Sequence, residues 1–150
     1  MTLELLTLLV LGLKCGSELN IAAFAHPALN RQPLEKHILM RSSFAALFGR
    51  VMPFWMTGSA LLNLLLPLPF AHLGAGARLL AAAAFAIQVG AVVFPLIFPV
   101  PINIRIAKWT PQTLPPDWGV QEHRWDLYHS FRTAGLVVAF APLALALAAH

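Results

Sequence analysis

The chain has 150 residues, 59% of them hydrophobic and only 11% charged, against roughly 25% charged in an ordinary soluble domain. So much apolar surface excludes a soluble fold, and the single cysteine, Cys15, excludes an internal disulfide or a CxxC redox pair. A net charge of +4 would suit nucleic acid in a soluble protein, but these cations sit in short loops beside apolar runs, where they set orientation in a bilayer.

Four apolar runs each approach the ~20 residues needed to cross a hydrocarbon core. They predict an all-α integral membrane four-helix bundle that fills a single domain, with a polar cap between its third and fourth helices. The first span is expected over residues 2–25, ending at His26-Pro27 because the residue before a proline avoids the helical region. The start lacks the positive region and cleavage site of a signal peptide, so this segment is expected to be retained. At ~100° per residue, Glu4, Thr7, Leu11, Lys14, Cys15 and Glu18 fall within an arc of about 100°, so the polar face points into the bundle. Ionisable groups such as Lys14 and Glu18 are costly inside a membrane unless paired. They mark either a functional site or a structural lock in which Glu18 pairs with Lys14, Arg50 or Arg132.

The polar stretch HPALNRQPLEKHILMRSS, residues 26–43, reads as a connector. A second span is expected over 44–70, kinked at Pro53, with Ser43, Arg50 and Thr57 on one face. The turn AHLGAGAR leads to a third span over 78–98, in which Gln88 is the only uncharged polar side chain. Pro95, Pro99 and Pro101 then break the helix. Residues 100–132 form the one long polar segment. Within it, Asp117 after Pro115-Pro116 can cap a helix starting near residue 118, whose membrane part covers 131–149. Such a helix is ~48 Å long, so its first turns project beyond a ~30 Å core. Gln121, Trp125, His129, Arg132 and Leu136 share one of its faces. The cations near the first and third loops place those loops in the cytoplasm and both termini outside, in a multi-pass cell membrane such as a bacterial inner membrane.

The run PINIRIAKW, the DW after the double proline, and RWDLYHSFR entering the last helix resemble the anthrone oxygenase-like family of small four-helix membrane proteins. GSELNIAAFAHPAL in the first helix and FGRVMPFW in the second are similar to bacterial members. The resemblance implies oxidation of an anthrone by molecular oxygen without an evident cofactor, as described for fungal relatives, and marks Asn103, Arg105, Trp118, Trp125, His129 and Arg132 as motif positions.

Such chemistry needs a base to remove a carbon-bound proton and positive charge to hold the resulting anion while oxygen reacts. His129, Arg132 and Glu18 are the expected chemical groups. Lys14, Arg50, Asn103, Arg105, Trp118 and Trp125 are the expected substrate contacts, around a pocket between the first, second and fourth helices. Competing readings place His129 and Arg132 at the lipid interface and Trp109, Trp118 and Trp125 in an aromatic belt. His26, His37, His123 and His129 show no tight ligand spacing within one helix, so they read as capping and loop histidines, with no metal or cofactor expected. The expected partners are membrane lipid and a small hydrophobic aromatic molecule, with no nucleic acid and room for a homo-oligomer. A non-enzymatic membrane subunit or small transporter, and a haem-binding electron carrier, are the alternatives.

Overall fold

The computed structural model describes residues 2–68 and 73–148, and over these the secondary structure is entirely helical. α1 (Thr2–Asn20) passes through a π-helical turn (Ile21–Ala25) into α2 (His26–Leu29). Where the sequence reading ends the first span at residue 25, one helical run therefore continues to Leu29. Pro27 lies in the first turn of α2, where a missing N–H is tolerated. The π turn, closed by His26 N–H on Ile21 O, takes up one extra residue without ending the run.

α3 (Leu34–Leu65) begins well before residue 44. The expected connector over 26–43 shrinks to the turn at 30–33, because His37, Ile38, Arg41 and Ala45 recur on one buried helical face. The far end of the expected second span, residues 69 and 70, lies outside the described residues. α4 (Ala75–Ile97) gives way to the short α5 (Pro99–Ile106) at Phe98. α6 (Trp118–Ala148) is a single helix through Gly119, Gly135 and Pro142. The Asp117 side chain accepts from Gln121 Nε2 at 2.9 Å, instead of from a backbone N–H at the start of α6.

Among the described residues, three helical runs are long and apolar enough to cross a membrane: Leu3–Leu29, Ala75–Ile97 and Trp118–Ala148. α3 is not among them, because Arg50, Ser59 and Asn63 interrupt its apolar stretch. The pattern of exposure is that of a membrane protein. Phe54 (81% exposed) and Leu79 (73%) point outward, while Lys14 and Glu18 (both 0%) point inward, the reverse of what water would select. Glu4, Thr7, Leu11 and Cys15 are buried with them, so the polar face of α1 does turn inward.

α1 packs on α3 and α6, α4 packs on α3 and α6, and α5 lies against α3, α4 and α6. The α4–α6 contact is the most extensive. Ala77, Ala81 and Ala84 of α4 meet Leu136, Leu143 and Ala146 of α6 in the largest core cluster, and such small side chains allow close helix approach in a bilayer. The segment after α4 is less of a polar cap than its composition suggests. Ile102, Ile106 and Trp109 bury themselves with Ile38 and Ala45, so Trp109 belongs to a small core instead of an interfacial belt.

Candidate functional site

The end of α1, the middle of α3, the end of α4, α5 and the first half of α6 enclose a cleft of about 360 Å³. Its walls are mostly apolar: Ile21, Phe48, Met52, Met56, Val92, Pro95 and Pro99 among them. Its polar groups are few, and Glu18, Asn103, Trp125, His129 and Arg132 supply most of them. Pro53, Thr57, Leu96 and Ile104 line the cleft and are also exposed. The mouth therefore opens sideways between α3 and α4–α5, on a surface that carries Phe54 and Ile97.

On the inner wall three charged or polar side chains converge. Arg132 NH2 donates to Glu18 Oε2 at 2.5 Å and to His129 Nδ1 at 3.1 Å, and His129 Nε2 lies 3.3 Å from the Glu18 carbonyl oxygen. An arginine can only donate and a carbonyl can only accept. The neutral His129 ring therefore carries its proton on Nε2 and gives the Nδ1 lone pair to Arg132, so both ring nitrogens are engaged. The second Arg132 nitrogen, NH1, reaches only Met56 Sδ at 3.4 Å, a weak acceptor. Glu18 Oε1 and Arg132 Nε are buried and have no hydrogen-bond partner among the described residues. Glu18 and Arg132 belong to helices that α1–α6 packing brings together, and a buried pair of this kind is strongly destabilised if one member is removed.

Trp125, one helical turn before His129, stacks on the His129 ring with centroids 4.8 Å apart and planes at 12°. Arg41 lies over the Trp125 ring at 4.9 Å, and His26 meets it edge-on at 4.9 Å. Beyond Trp125 stands a second cluster. Arg41 binds Asp126 and Glu122, the latter at 3.2 Å; His26 Nδ1 lies 3.1 Å from Asp126 Oδ1; His37 bridges the Leu29 carbonyl at 2.9 Å and Glu122 at 2.8 Å. A void of about 20 Å³ beside His26 shares Phe48, Asn103 and Trp125 with the walls of the cleft.

The site residues expected from sequence divide into two groups. Glu18, His129, Arg132, Trp125 and Asn103 meet at the cleft, and Asn103 is fixed there by its Nδ2 bond to the Ala45 carbonyl at 2.9 Å. Lys14 is buried beside the cleft wall and donates to Ser59 Oγ at 3.1 Å; its expected partner Glu18 is taken by Arg132. Arg50 is exposed and outside the cleft, because it sits two residues from buried Met52 and so about 200° round the helix. Arg105 is exposed for a similar reason: the buried face of α5 is set by Ile102 and Ile106. Trp118 lies away from the cleft, 6.0 Å from the His37 ring.

Sequence reasoning missed His26, His37, Arg41, Glu122 and Asp126, treating the first two as loop or capping groups. All but Asp126 are buried. A signal was present: His37 and Arg41 on one helix and Glu122 and Asp126 on another share a four-residue spacing, with opposite charge. Among the described residues no three His, Cys, Asp or Glu side chains converge as a metal-ligand set.

Together these features define a helical membrane protein with a buried ionic site on the wall of an apolar, side-opening cleft. The family model for anthrone oxygenase matches residues 40–142, and the chain belongs to that family. No curated protein and no solved structure matches the chain. The matched region runs from within α3 to within α6, so it contains Asn103, Trp125, His129 and Arg132 but not the α1 residue Glu18 that pairs with Arg132.

Proposed function

We propose that the protein is a membrane oxygenase that uses molecular oxygen, without a cofactor, to oxidise a small hydrophobic aromatic molecule of anthrone or quinol type. The observation that carries this reading is the Arg132–Glu18–His129 cluster on the wall of an apolar cleft of about 360 Å³. That volume lies in the range of small-molecule sites, roughly 300–1,000 Å³. The lateral mouth suits a molecule that dissolves in lipid. In this proposal α3 is the second of four spans, and the ends that carry the site face the cytoplasm, following the cations Arg31, Lys36, Arg41, Arg105, Lys108 and Arg124.

For an anthrone, the reaction converts the activated CH2 to C=O. A base removes one C–H proton, and the carbanion, delocalised onto the carbonyl oxygen across the ring, gives electrons to O2 as a C–O bond forms. Loss of the second proton with O–O cleavage releases water. The carbon loses four electrons, which reduce both oxygen atoms, one kept in the product and one leaving as water. Arg132 is the group that holds the anionic oxygen, exchanging its weak NH1 contact with Met56 for a charge-assisted bond in a low-dielectric site. Glu18 fixes Arg132 against α1, and His129 fixes it along α6.

The test is oxygen uptake and product formation with anthrone as substrate, using purified protein in detergent and subtracting the uncatalysed rate. Turnover that disappears in Arg132→Met, with helical content retained, supports the proposal. Saturable anthrone binding without turnover would replace it with a binding module. A Soret band in the purified protein would favour the haem alternative, for which His129 has no free ring nitrogen.

A further inference from the structure

The proposed oxidation needs a base, and the groups on the cleft wall are poorly placed to be one. Both nitrogens of His129 are engaged, Glu18 Oε2 is held by Arg132, and Glu18 Oε1 is sealed from any surface. The histidine outside this cluster is in a different state. His26 follows the π turn, is buried, and has Asp126 Oδ1 3.1 Å from its Nδ1. A carboxylate can only accept, so the neutral tautomer that suits this 3.1 Å contact carries its proton on Nδ1 and has its Nε2 lone pair free. Among the described residues Nε2 has no hydrogen-bond partner.

His26 also lines the void of about 20 Å³ next to the cleft. That volume accommodates a single water, for which about 10–15 Å³ is the minimum. Phe48, Asn103 and Trp125 border both spaces. Trp125 is held by His129, Arg41 and His26, so its ring stays in place as a wall common to both spaces. We propose that His26 is the proton acceptor of this site, oriented by Asp126 and acting on the substrate through one water in the void. The proposal rests on the oxygenase reading above. The C–H proton passes to the water as that water gives its own proton to Nε2, so the imidazole becomes an imidazolium beside the Asp126 carboxylate. It returns the proton when O–O cleavage releases hydroxide, forming water. Asp126 is the positioning residue, and Arg41 holds Asp126 from the α3 side. The charged or titratable groups facing His26 are Asp126 and His129 from α6 and Arg41 from α3.

The experiment compares His26→Gln with the parent protein for anthrone binding, by tryptophan fluorescence, and for anthrone-dependent oxygen uptake across pH. The expected result is binding within about threefold of the parent and kcat lowered at least ~100-fold, the scale of general-base catalysis. His26→Ala is measured with added imidazoles, which fit the space left beside the void. Recovery that grows with the basicity of the imidazole supports a proton-transfer role, whereas recovery indifferent to basicity would show that the ring only fills space and would overturn the proposal. A His26→Gln kcat within threefold of the parent would overturn it as well while leaving the oxygenase reading intact. A parent protein that binds anthrone but never oxidises it would overturn both.

Discussion

The pairing of Glu18 with Arg132 makes a prediction that separates folding from function. Glu18 is fully buried and the Arg132 side chain is 10% exposed, so neither charge is solvated by water. Glu18→Leu leaves the guanidinium without its carboxylate, and Arg132→Met leaves the carboxylate without its cation; breaking a buried pair in this way costs about 3–5 kcal/mol. Replacing both members removes both charges together and is often close to neutral. Here it also strips the donor from His129 Nδ1, an unmade hydrogen bond worth about 1–3 kcal/mol. Each single variant should therefore lose about 3–5 kcal/mol, and the double variant should recover roughly half of that or more, while anthrone turnover is lost in all three. The assay is unfolding in detergent followed by circular dichroism, with the four proteins forming a double-mutant cycle. A double variant as unstable as the sum of the singles would refute the coupling, and with it the view that Arg132 is held for its charge.

Three other perturbations follow from the geometry. A Cβ on Gly49 would lie 3.0 Å from Asn103 Nδ2, so Gly49→Ala should displace Asn103 from its bond to Ala45, cost about 1 kcal/mol and weaken anthrone binding several-fold in a fluorescence titration; Gly16→Ala, with nothing within 4 Å, is the matched control. Arg50→Ala and Arg105→Ala, both outside the cleft, should leave binding and turnover within about twofold, since surface changes of this kind are small; a large loss of turnover in either would mean that the site extends beyond the cleft. Cys15 is buried with its Sγ 3.4 Å from the Leu136 carbonyl, so a maleimide should label it only as fast as α1 separates from α6, and labelling should accelerate in the Glu18→Leu and Arg132→Met variants.

The inward face of α1 was legible because six residues share one arc and only one side of a membrane helix tolerates charge. The stripe from Trp125 to Arg132 was legible for a related reason, since helical spacing alone brings those side chains together. The register of α3 was hidden. Its first turns mix His37 and Arg41 with Leu34, Ile38 and Leu39, which reads as a polar connector until the acids of α6 are seen to cover the cations. His26 was hidden by Pro27, a residue that usually ends a helix and here follows a π turn. Arg50 is expected at the site from the face it shares with Ser43 and Thr57, and Arg105 from the family motif; only the direction of the neighbouring buried residues shows that both face outward. Trp109 reads as a belt residue because composition does not reveal that α5 folds back over Ile38.

The proposed oxidation brings an activated CH2 of the substrate and molecular oxygen to Arg132 in the apolar cleft. The most direct measurement is the fate of ¹⁸O2 during anthrone oxidation by the purified protein. The account predicts one labelled oxygen in each product quinone, the other in water, at a rate that exceeds the spontaneous reaction and falls to it in Arg132→Met. Product oxygen drawn from water, or a rate the protein does not change, would contradict it.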